Sequence, residues 1–389
     1  MLELYMTVAA ATPAIHDPTR PAKPVRYAFL DSLRGLAAIS VLYLHTADQL
    51  LQNNLVSPGG AEYFIMTTMT SIIDLGKVGV IIFFAISGFI IPFALTKKNG
   101  SVTEFAVNRF FRLYPAYWLS IVLAVFVLYY LNGLPEPTGL ILINLTMLQK
   151  FFLQPDLMDL YWTLQIELIF YALCVVAYLF GFLEDDKRLF LISMAMLIAA
   201  LVLATVRYDT HIKTPVALPL ALSIMLWGSM LKHFHIDGSP KAKRLSLLML
   251  GAFAVLIPVI CVLAYNFNAG FEETWYRYTA SYFVGIAAFY MFTGIIRIVG
   301  PVWSWLGRIS YSIYLFHPIF IVLTLMYVIP ALPRSPIAHL YILAILIMTL
   351  AFCHITYAYI EAPCIATGHA VYKYFRSKRA SACGIAVKP

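Results

Sequence analysis

Long apolar runs are the feature that most constrains how this chain folds. A helix needs about 20 mainly apolar residues to cross the hydrocarbon core of a bilayer. Ten such runs lie at residues 28–50, 72–95, 113–131, 160–180, 189–206, 215–232, 245–266, 278–298, 306–329 and 337–359. Since only helices and closed barrels satisfy their backbone groups inside lipid, the runs predict an all-α integral membrane protein with a bundle of about ten transmembrane helices.

The composition supports a membrane protein and excludes an ordinary soluble domain. Of the 389 residues, 61% are hydrophobic and 12% are charged, whereas soluble domains average about 25% charged residues. The net charge of +8 does not indicate nucleic-acid binding, because the basic residues fall mainly in one set of loops. The five cysteines show no CxxC or Cys/His spacing, so neither a disulfide framework nor a metal site is expected.

The distribution of Lys and Arg predicts the orientation. Twenty of the 27 basic residues lie in one set of loops and tails, six lie in the alternate set, and Arg34 lies within a span. Cytoplasmic loops carry the excess of positive charge, so both termini are expected in the cytoplasm. Residues 1–26 are predicted to be a disordered tail, 27–360 the transmembrane domain, and 361–389 a short basic cytoplasmic tail.

Two ionisable residues, Arg34 and His45, fall inside the first span. An ionisable group in hydrocarbon costs ~3 kcal/mol or more, so such residues usually face the protein interior and have a function there. Eleven helical steps bring the two side chains to within ~20° of one face, ~16 Å apart along the axis. With both termini in the cytoplasm, Arg34 lies near the cytoplasmic face and His45 near the outer one. Asp31, one turn before Arg34, is expected to orient that arginine.

Glu167 is an ionisable residue in the fourth span. It is expected about two turns below the outer surface, at a depth similar to that of His45. A carboxylate paired with the imidazole would fix its tautomer and raise its basicity, as a general base requires. The alternatives are a structural ion pair for Glu167 and an interfacial, snorkelling position for His45.

Arg109 and Arg112 lie one helical turn apart where the chain enters the third span, so they project together. Two adjacent guanidinium groups suit phosphate oxygens. Ordinary anchoring by positive charge at the cytoplasmic face is the alternative. Arg34 on the same side of the membrane makes a triad of arginines, which favours an anion site.

The second and ninth spans contain smaller signals. Gly79, Ala85, Ser87 and Gly88 allow another helix to approach the second span closely. In the ninth span, Ser310, Tyr314 and His317 share one face at three- and four-residue spacing and predict a polar stripe through the bundle. Alternatively, His317 caps the backbone carbonyl that Pro318 leaves free.

Together these segments resemble the acyltransferase 3 family of multi-spanning membrane O-acyltransferases. The resemblance rests on five motifs that follow in order along the chain, within residues 27–359. They are residues 30–37 with His45, 79–89, 109–115, 161–171 and 310–318. One such motif would be unspecific, but all five in order, on consistent sides of the membrane, are specific.

The resemblance implies an enzyme that takes an acyl group, commonly acetyl, from cytoplasmic acyl-CoA as co-substrate. The acceptor would be a hydroxyl of a lipid-linked sugar, a surface polysaccharide such as exopolysaccharide or lipopolysaccharide, peptidoglycan or a small secreted product. It implies that Arg34, Arg109 and Arg112 bind the CoA end. It also implies that His45 is the catalytic histidine and that Glu167 supports it, in a plasma (bacterial inner) membrane.

Several alternatives stay open at the level of the sequence. His45 either deprotonates an acceptor hydroxyl that attacks the thioester directly, or is acylated first and relays the group. Some relatives carry an appended extracytoplasmic domain, but this sequence ends soon after the tenth span, so transfer is expected to finish within the membrane domain. Competing functions are an exporter of an anionic lipid-linked sugar, although no paired broken helices indicate inverted repeats, and a non-catalytic scaffold. The acceptor, the acyl group and the oligomeric state are not determined.

Overall fold

The computed structural model describes residues 27–96, 101–135, 137–267, 274–328, 333, 335 and 337–382. These residues form thirteen α-helices and no β-strand. The helices are α1 Ala28–Gln52, α2 Ala61–Thr67, α3 Leu75–Thr96, α4 Val102–Val125, α5 Thr138–Leu145, α6 Tyr161–Leu179, α7 Asp186–Thr210, α8 Ala217–His235, α9 Pro240–Tyr265, α10 Trp275–Gly294, α11 Pro301–Tyr327, α12 His339–Thr356 and α13 Ala362–Ala382. The N-terminal tail predicted for residues 1–26 lies outside the described residues.

Each of the ten predicted spans overlaps one long helix. Across the described part of the chain, eight helical segments are long and apolar enough to cross a membrane. The remaining two, α1 and α10, have 25 and 20 residues, but polar side chains lower their hydropathy, as Asp31, Arg34 and His45 do in α1. The protein is therefore an all-helical, multi-pass integral membrane protein, and the number of ten spans stays a prediction.

α1 lies against both α3 and α11, and fourteen of its residues are buried. Glycines allow its close approach to α11. A Cβ atom on Gly35 would lie 2.7 Å from Cβ of Leu306, and one on Gly307 would overlap the backbone carbonyl of Asp31. The polar residues of α1 are thus placed inside the bundle, which is where ionisable groups in a membrane protein are tolerated.

The contact between α3 and α8 depends on small residues in the same way. A Cβ atom on Gly88 would overlap the carbonyl of Met225, and one on Gly228 would overlap the carbonyl of Ala85. The Ser229 hydroxyl donates a hydrogen bond to the Gly88 carbonyl at 2.9 Å. The close helix contact predicted from the small residues of the second span is confirmed.

The connection between α4 and α6 is folded back onto α4. The Tyr117 hydroxyl donates to the Asn144 carbonyl at 2.6 Å, and the Asn144 side-chain oxygen accepts from the backbone N–H of Leu157 at 3.0 Å. These bonds fix the short segment that precedes α6, including Asp159. A surface turn within the same connection exposes Phe151 and Leu153.

The segment after residue 360, predicted as a short tail, is helical as far as it is described. α12 passes through a π-helical turn, Tyr357–Glu361, into α13. Pro363 cannot donate to a carbonyl one turn back, and the π turn lies directly before it. α13 packs on α4, where Gly368 lies against Phe111. The sequence of α13 is polar and basic and contains no long apolar run, so the criterion that predicted the spans did not predict this helix.

Candidate active site

α1 reaches two separate cavities with side chains eleven positions apart. Arg34 lines a cavity of about 80 Å³, here called the arginine cavity. His45 lines a larger cavity of about 480 Å³, here called the histidine cavity. Both side chains therefore face the protein interior, as their helical spacing predicts.

The arginine cavity brings together the three predicted arginines, Arg34 from α1 with Arg109 and Arg112 from α4. Further polar lining comes from Ser87, Thr163, Glu167, Ser310, Tyr311 and Tyr314. The lining thus has three guanidinium groups against one carboxylate. Such a surplus of guanidinium groups favours a bound anion, and phosphate oxygens match their hydrogen-bonding geometry.

Arg34 and its neighbour Asp31 have the relationship expected from the sequence. Nη1 of Arg34 lies 4.0 Å from Oδ1 of Asp31. The two residues are one turn apart on α1, so the same helix supplies the cation and its orienting carboxylate. At this separation the contact is electrostatic rather than a hydrogen bond.

Glu167 is connected to the arginine cavity through an aromatic residue. The Tyr171 hydroxyl donates to Oε1 of Glu167 at 2.6 Å. The guanidinium carbon of Arg109 lies 5.3 Å from the centre of the Tyr171 ring and 5.4 Å from that of Phe105. A cation within about 6 Å of a ring face is attracted to it, so Tyr171 joins Glu167 to Arg109.

His45 is exposed although most of its neighbours on α1 are buried. The exposed surface is accounted for by the cavity, because His45 is part of its lining. The other polar lining residues are Gln49, Asp74, Lys77, Asp159, Trp162, Tyr278 and Tyr314. The imidazole is therefore accessible to a molecule inside the cavity.

The structure does not bring Glu167 together with His45, which corrects the expected pair. Glu167 lines the arginine cavity, whereas the carboxylates that line the histidine cavity with His45 are those of Asp74 and Asp159. Glu167 and His45 lie at different depths along the bundle. α6 begins at Tyr161, beside the histidine cavity, and Glu167 lies ~9 Å farther along the helix axis, at the arginine cavity.

Asp74 and Asp159 were missed because they lie at the edges of apolar runs, Asp74 as the third residue of 72–95 and Asp159 directly before 160–180, where a charged residue is common. Both precede a helix on the side of His45. Asp74 is fixed by three contacts. Its Oδ2 lies 3.0 Å from Nη2 of Arg277, and its Oδ1 accepts the backbone N–H of Lys77 at 2.7 Å. The backbone N–H of Asp74 donates to the Ser281 hydroxyl at 3.0 Å. An acidic residue at the edge of an apolar run is the sequence signal that would have found them.

His317 lies beside the histidine cavity and packs on His45. The two imidazole rings are stacked, with centroids 5.3 Å apart and an angle of 28°. Nδ1 of His317 donates to the Ile313 carbonyl at 3.0 Å. The carbonyl that Pro318 leaves free is that of Tyr314, so this bond is not the predicted cap. Nε2 has no hydrogen-bond partner among the described residues and is buried. Since a carbonyl only accepts, Nε2 carries the lone pair in the neutral ring.

The other two residues of the predicted polar stripe reach the arginine cavity. Ser310 donates to the Gly307 carbonyl of its own helix at 2.9 Å. Tyr314 lines both cavities, and its hydroxyl bonds to the Thr163 hydroxyl and to the Leu160 carbonyl. The stripe on α11 thus extends from one cavity to the other.

The sequence matches a known family along most of its length. The family model described as an acyltransferase domain, of the acyltransferase 3 type, covers residues 27–358. No solved structure matches the chain significantly.

Individual proteins match it more weakly. The protein named "Protein 2 in picA locus" of Rhizobium radiobacter is 35% identical over 29% of this chain and 53% of its own length. "Acyltransferase MdmB" of Streptomyces mycarofaciens is 29% identical over 39% of each chain. "Exopolysaccharide production protein ExoZ" of Rhizobium meliloti is 28% identical over 62% of this chain and 76% of its own. The chain thus spans about half, or less, of the length of the first two relatives.

Proposed function

The chain belongs to the acyltransferase 3 family, so it is an acyltransferase, and we propose that it moves an acyl group from cytoplasmic acyl-CoA to a hydroxyl of a cell-surface or lipid-linked carbohydrate. The observation that carries this proposal is the pair of cavities along α1, one lined by three arginines and the other by His45. The acyl group is taken to be acetyl, and the membrane to be the plasma membrane, which is the inner membrane in a bacterium.

The arginine cavity is assigned to the donor. With ten spans and both termini in the cytoplasm, α1 runs outward and Arg34, Arg109 and Arg112 lie toward the cytoplasmic side, where acyl-CoA is found. Their guanidinium groups would bind the phosphates of CoA through charge-assisted hydrogen bonds. The pantetheine arm would then extend along α1 toward His45, over the ~16 Å that separate the two residues.

The histidine cavity is assigned to the chemical step. His45 removes the proton from an acceptor hydroxyl, the oxygen attacks the thioester carbonyl, and the carbon–sulfur bond breaks. The proton then passes from the imidazolium to the leaving CoA thiolate, so that the products are an ester and free CoA. Asp74 and Asp159 line the same cavity, and their negative charges would stabilise the imidazolium. In the relay form of the mechanism, the imidazole nitrogen carries the acyl group between the two transfers.

Glu167 takes a different role from the one expected. Its hydrogen bond from Tyr171 and the ring contact of Arg109 support a role beside the groups assigned to the donor. Glu167 therefore orients the arginines rather than the catalytic imidazole. The family assignment also favours the enzyme over an exporter of an anionic lipid-linked sugar.

The carbohydrate acceptor is supported by a relative. ExoZ, by its name, is an exopolysaccharide production protein, and Trp162 and Tyr278 in the histidine cavity are aromatic residues of the kind that stack on sugar rings. The acetyl group is supported by a 24% identical relative from the Acidianus two-tailed virus, named a putative acetyltransferase.

The test measures O-acetyl groups on the surface glycans of the source organism. Deletion of the gene is expected to lower them, wild type to restore them, and His45→Ala to leave them low at equal membrane expression. His369→Ala is the matched control, because His369 is exposed on α13. Full restoration by His45→Ala would remove His45 from the mechanism. Unchanged acetylation after deletion would exclude surface glycans as the acetyl acceptor.

A single-turnover experiment separates the two forms of the mechanism. Purified protein is mixed with radiolabelled acetyl-CoA and no acceptor, then denatured and digested. Label on the peptide that contains His45, absent in His45→Ala, indicates the relay. Unlabelled protein that nevertheless transfers acetyl when acceptor is added indicates direct attack.

A further inference from the structure

Lys77 is the cationic side chain of the histidine cavity. It lies in the first turn of α3, where Oδ1 of Asp74 accepts its backbone N–H at 2.7 Å. Among the described residues that line the cavity it is the only lysine or arginine, beside the carboxylates of Asp74 and Asp159. A charged group that faces a cavity within a membrane bundle is costly to keep there, and such groups usually have a function.

Two aromatic rings fix the position of the ammonium group. Nζ of Lys77 lies 4.2 Å from the centre of the Tyr278 ring and 5.4 Å from that of the Trp162 ring. Tyr278 is buried and stacks on Tyr265, with ring centroids 4.3 Å apart and an angle of 27°. Because ring faces attract a cation without neutralising it, these contacts hold the ammonium group at the cavity wall and leave its charge intact.

The backbone segments that carry Lys77 and His45 are in contact. Gly76 directly precedes Lys77, and Leu44 directly precedes His45. A Cβ atom on Gly76 would lie 2.5 Å from Cδ2 of Leu44, and all four residues line the cavity. α3 therefore brings a cation to the part of the cavity where α1 presents its imidazole.

The proposed acyl transfer needs a positive group in this part of the cavity. When the acceptor oxygen attacks the thioester, the electron pair of the carbonyl double bond moves onto the carbonyl oxygen, which becomes negative. His45 takes the proton of the acceptor but does not stabilise this second charge, and Asp74 and Asp159 have the wrong sign to do so. Donors and cations aimed at such an oxyanion usually make the largest single contribution to catalysis.

We propose that Lys77 is a second catalytic residue, whose ammonium group donates a hydrogen bond to the thioester carbonyl oxygen and stabilises the oxyanion. This inference rests on the proposed acyl transfer and names the group that balances the charge of its transition state. The ammonium group keeps its proton throughout. The electron pair returns to the carbonyl as the carbon–sulfur bond breaks, and the CoA thiolate takes its proton from His45.

The test compares two radiolabelled donors in membranes of the deletion strain, which contain the natural acceptor and carry wild type or a variant at equal expression. In acetyl-dithio-CoA, sulfur replaces the carbonyl oxygen of acetyl-CoA and accepts hydrogen bonds only weakly. Lys77→Met is expected to lower kcat about a hundredfold with acetyl-CoA, as loss of an oxyanion donor does, but less than about tenfold with the dithio donor. KM for acetyl-CoA should stay within about twofold, because an interaction made only in the transition state is lost.

Lys243→Met is the matched control. Nζ of Lys243 also lies near an aromatic ring, 5.6 Å from the centre of Phe234, but Lys243 lines neither cavity, so both donors should react at wild-type rates. Lys77→Arg, which keeps the positive charge, should retain more activity with acetyl-CoA than Lys77→Met. If Lys77→Met does not reach the membrane, Lys77→Gln is judged by the same comparison of donors.

Three results would overturn the role of Lys77 and leave the acyl transfer intact. They are equal losses with both donors, which a purely structural role would produce, a loss confined to KM for acetyl-CoA, and wild-type rates in Lys77→Met. Absence of acetyl transfer by wild type from acetyl-CoA would overturn the acyl transfer itself, and the role of Lys77 with it.

Discussion

The hydroxyl groups of Thr163 and Tyr314 lie 2.6 Å apart, at the place where the arginine cavity and the histidine cavity adjoin. Tyr314 lines both cavities. The Tyr314 hydroxyl also lies 3.2 Å from the Leu160 carbonyl. In the proposed mechanism the thioester passes from one cavity to the other, so the phenol ring must move aside when the donor binds and can return to keep water from the donor.

Tyr314→Phe is therefore expected to raise hydrolysis of acetyl-CoA in the absence of acceptor. The lost hydrogen bond is worth ~1 kcal/mol, or roughly a fivefold change in the population of the displaced ring. Thr163 keeps its own bond to the Leu160 carbonyl, so no hydroxyl is orphaned. The measurement is the ratio of free acetate released to acetyl transferred.

Tyr117→Phe is the control for the loss of a buried phenol. The Tyr117 hydroxyl bonds to the Asn144 carbonyl, and Tyr117 lines neither cavity. Its ratio of hydrolysis to transfer should equal that of wild type. A wild-type ratio in Tyr314→Phe would show that the ring is not the barrier.

Arg112→Ala is expected to raise KM for acetyl-CoA by tenfold or more, because a hydrogen bond to a charged group contributes ~1.5–3 kcal/mol. The effect should vanish with acetyl-pantetheine, which has no phosphates for the arginine to bind. Arg188→Ala, at an exposed ion pair with Asp185, should change neither KM. Equal effects of Arg112→Ala on both donors would argue against phosphate binding.

Glu167→Gln and Asp159→Asn are expected to affect different kinetic constants. Glu167→Gln should raise KM for acetyl-CoA, because it weakens the contact through Tyr171 to Arg109. Asp159→Asn should mainly lower kcat, about fivefold for ~1 kcal/mol of lost stabilisation of the imidazolium. Steady-state kinetics with varied acetyl-CoA would distinguish the effect on KM from the effect on kcat. A loss confined to kcat in Glu167→Gln would instead support the pairing of Glu167 with His45 that the sequence predicted.

Gly88→Ala is expected to destabilise the fold by ~1–3 kcal/mol, the usual cost of overpacking, because its methyl group meets the Met225 backbone. Gly251→Ala is the matched control, since no heavy atom lies within 4 Å of a Cβ atom there and alanine favours a helix by ~1 kcal/mol. Thermal inactivation in detergent, followed by size-exclusion chromatography, measures both. Equal midpoints would contradict the close packing of α3 on α8.

The parts of the site that could be predicted depend on one helix at a time. Arg34 and His45 share a face because both belong to α1, and Arg109 and Arg112 project together because they are one turn apart on α4. The grouping of Arg34 with Arg109 and Arg112 was predicted because all three arginines were expected on the same side of the membrane. The pairing of His45 with Glu167 was expected from similar depth, but α6 begins beside the histidine cavity, which Leu160 and Trp162 line, and Glu167 lies farther along the helix at the arginine cavity.

The sequence by itself determined an all-helical membrane protein of the acyltransferase 3 family, since hydropathy, helical period and ordered motifs are read along the chain. Tertiary structure alone decided that Asp74 and Asp159 line one cavity with His45, that His317 stacks on His45, and that Tyr314 lines both cavities. These relationships join helices distant in sequence, and they depend on helix rotation and crossing, which are set by contacts such as those of Gly35 and Gly307 between α1 and α11.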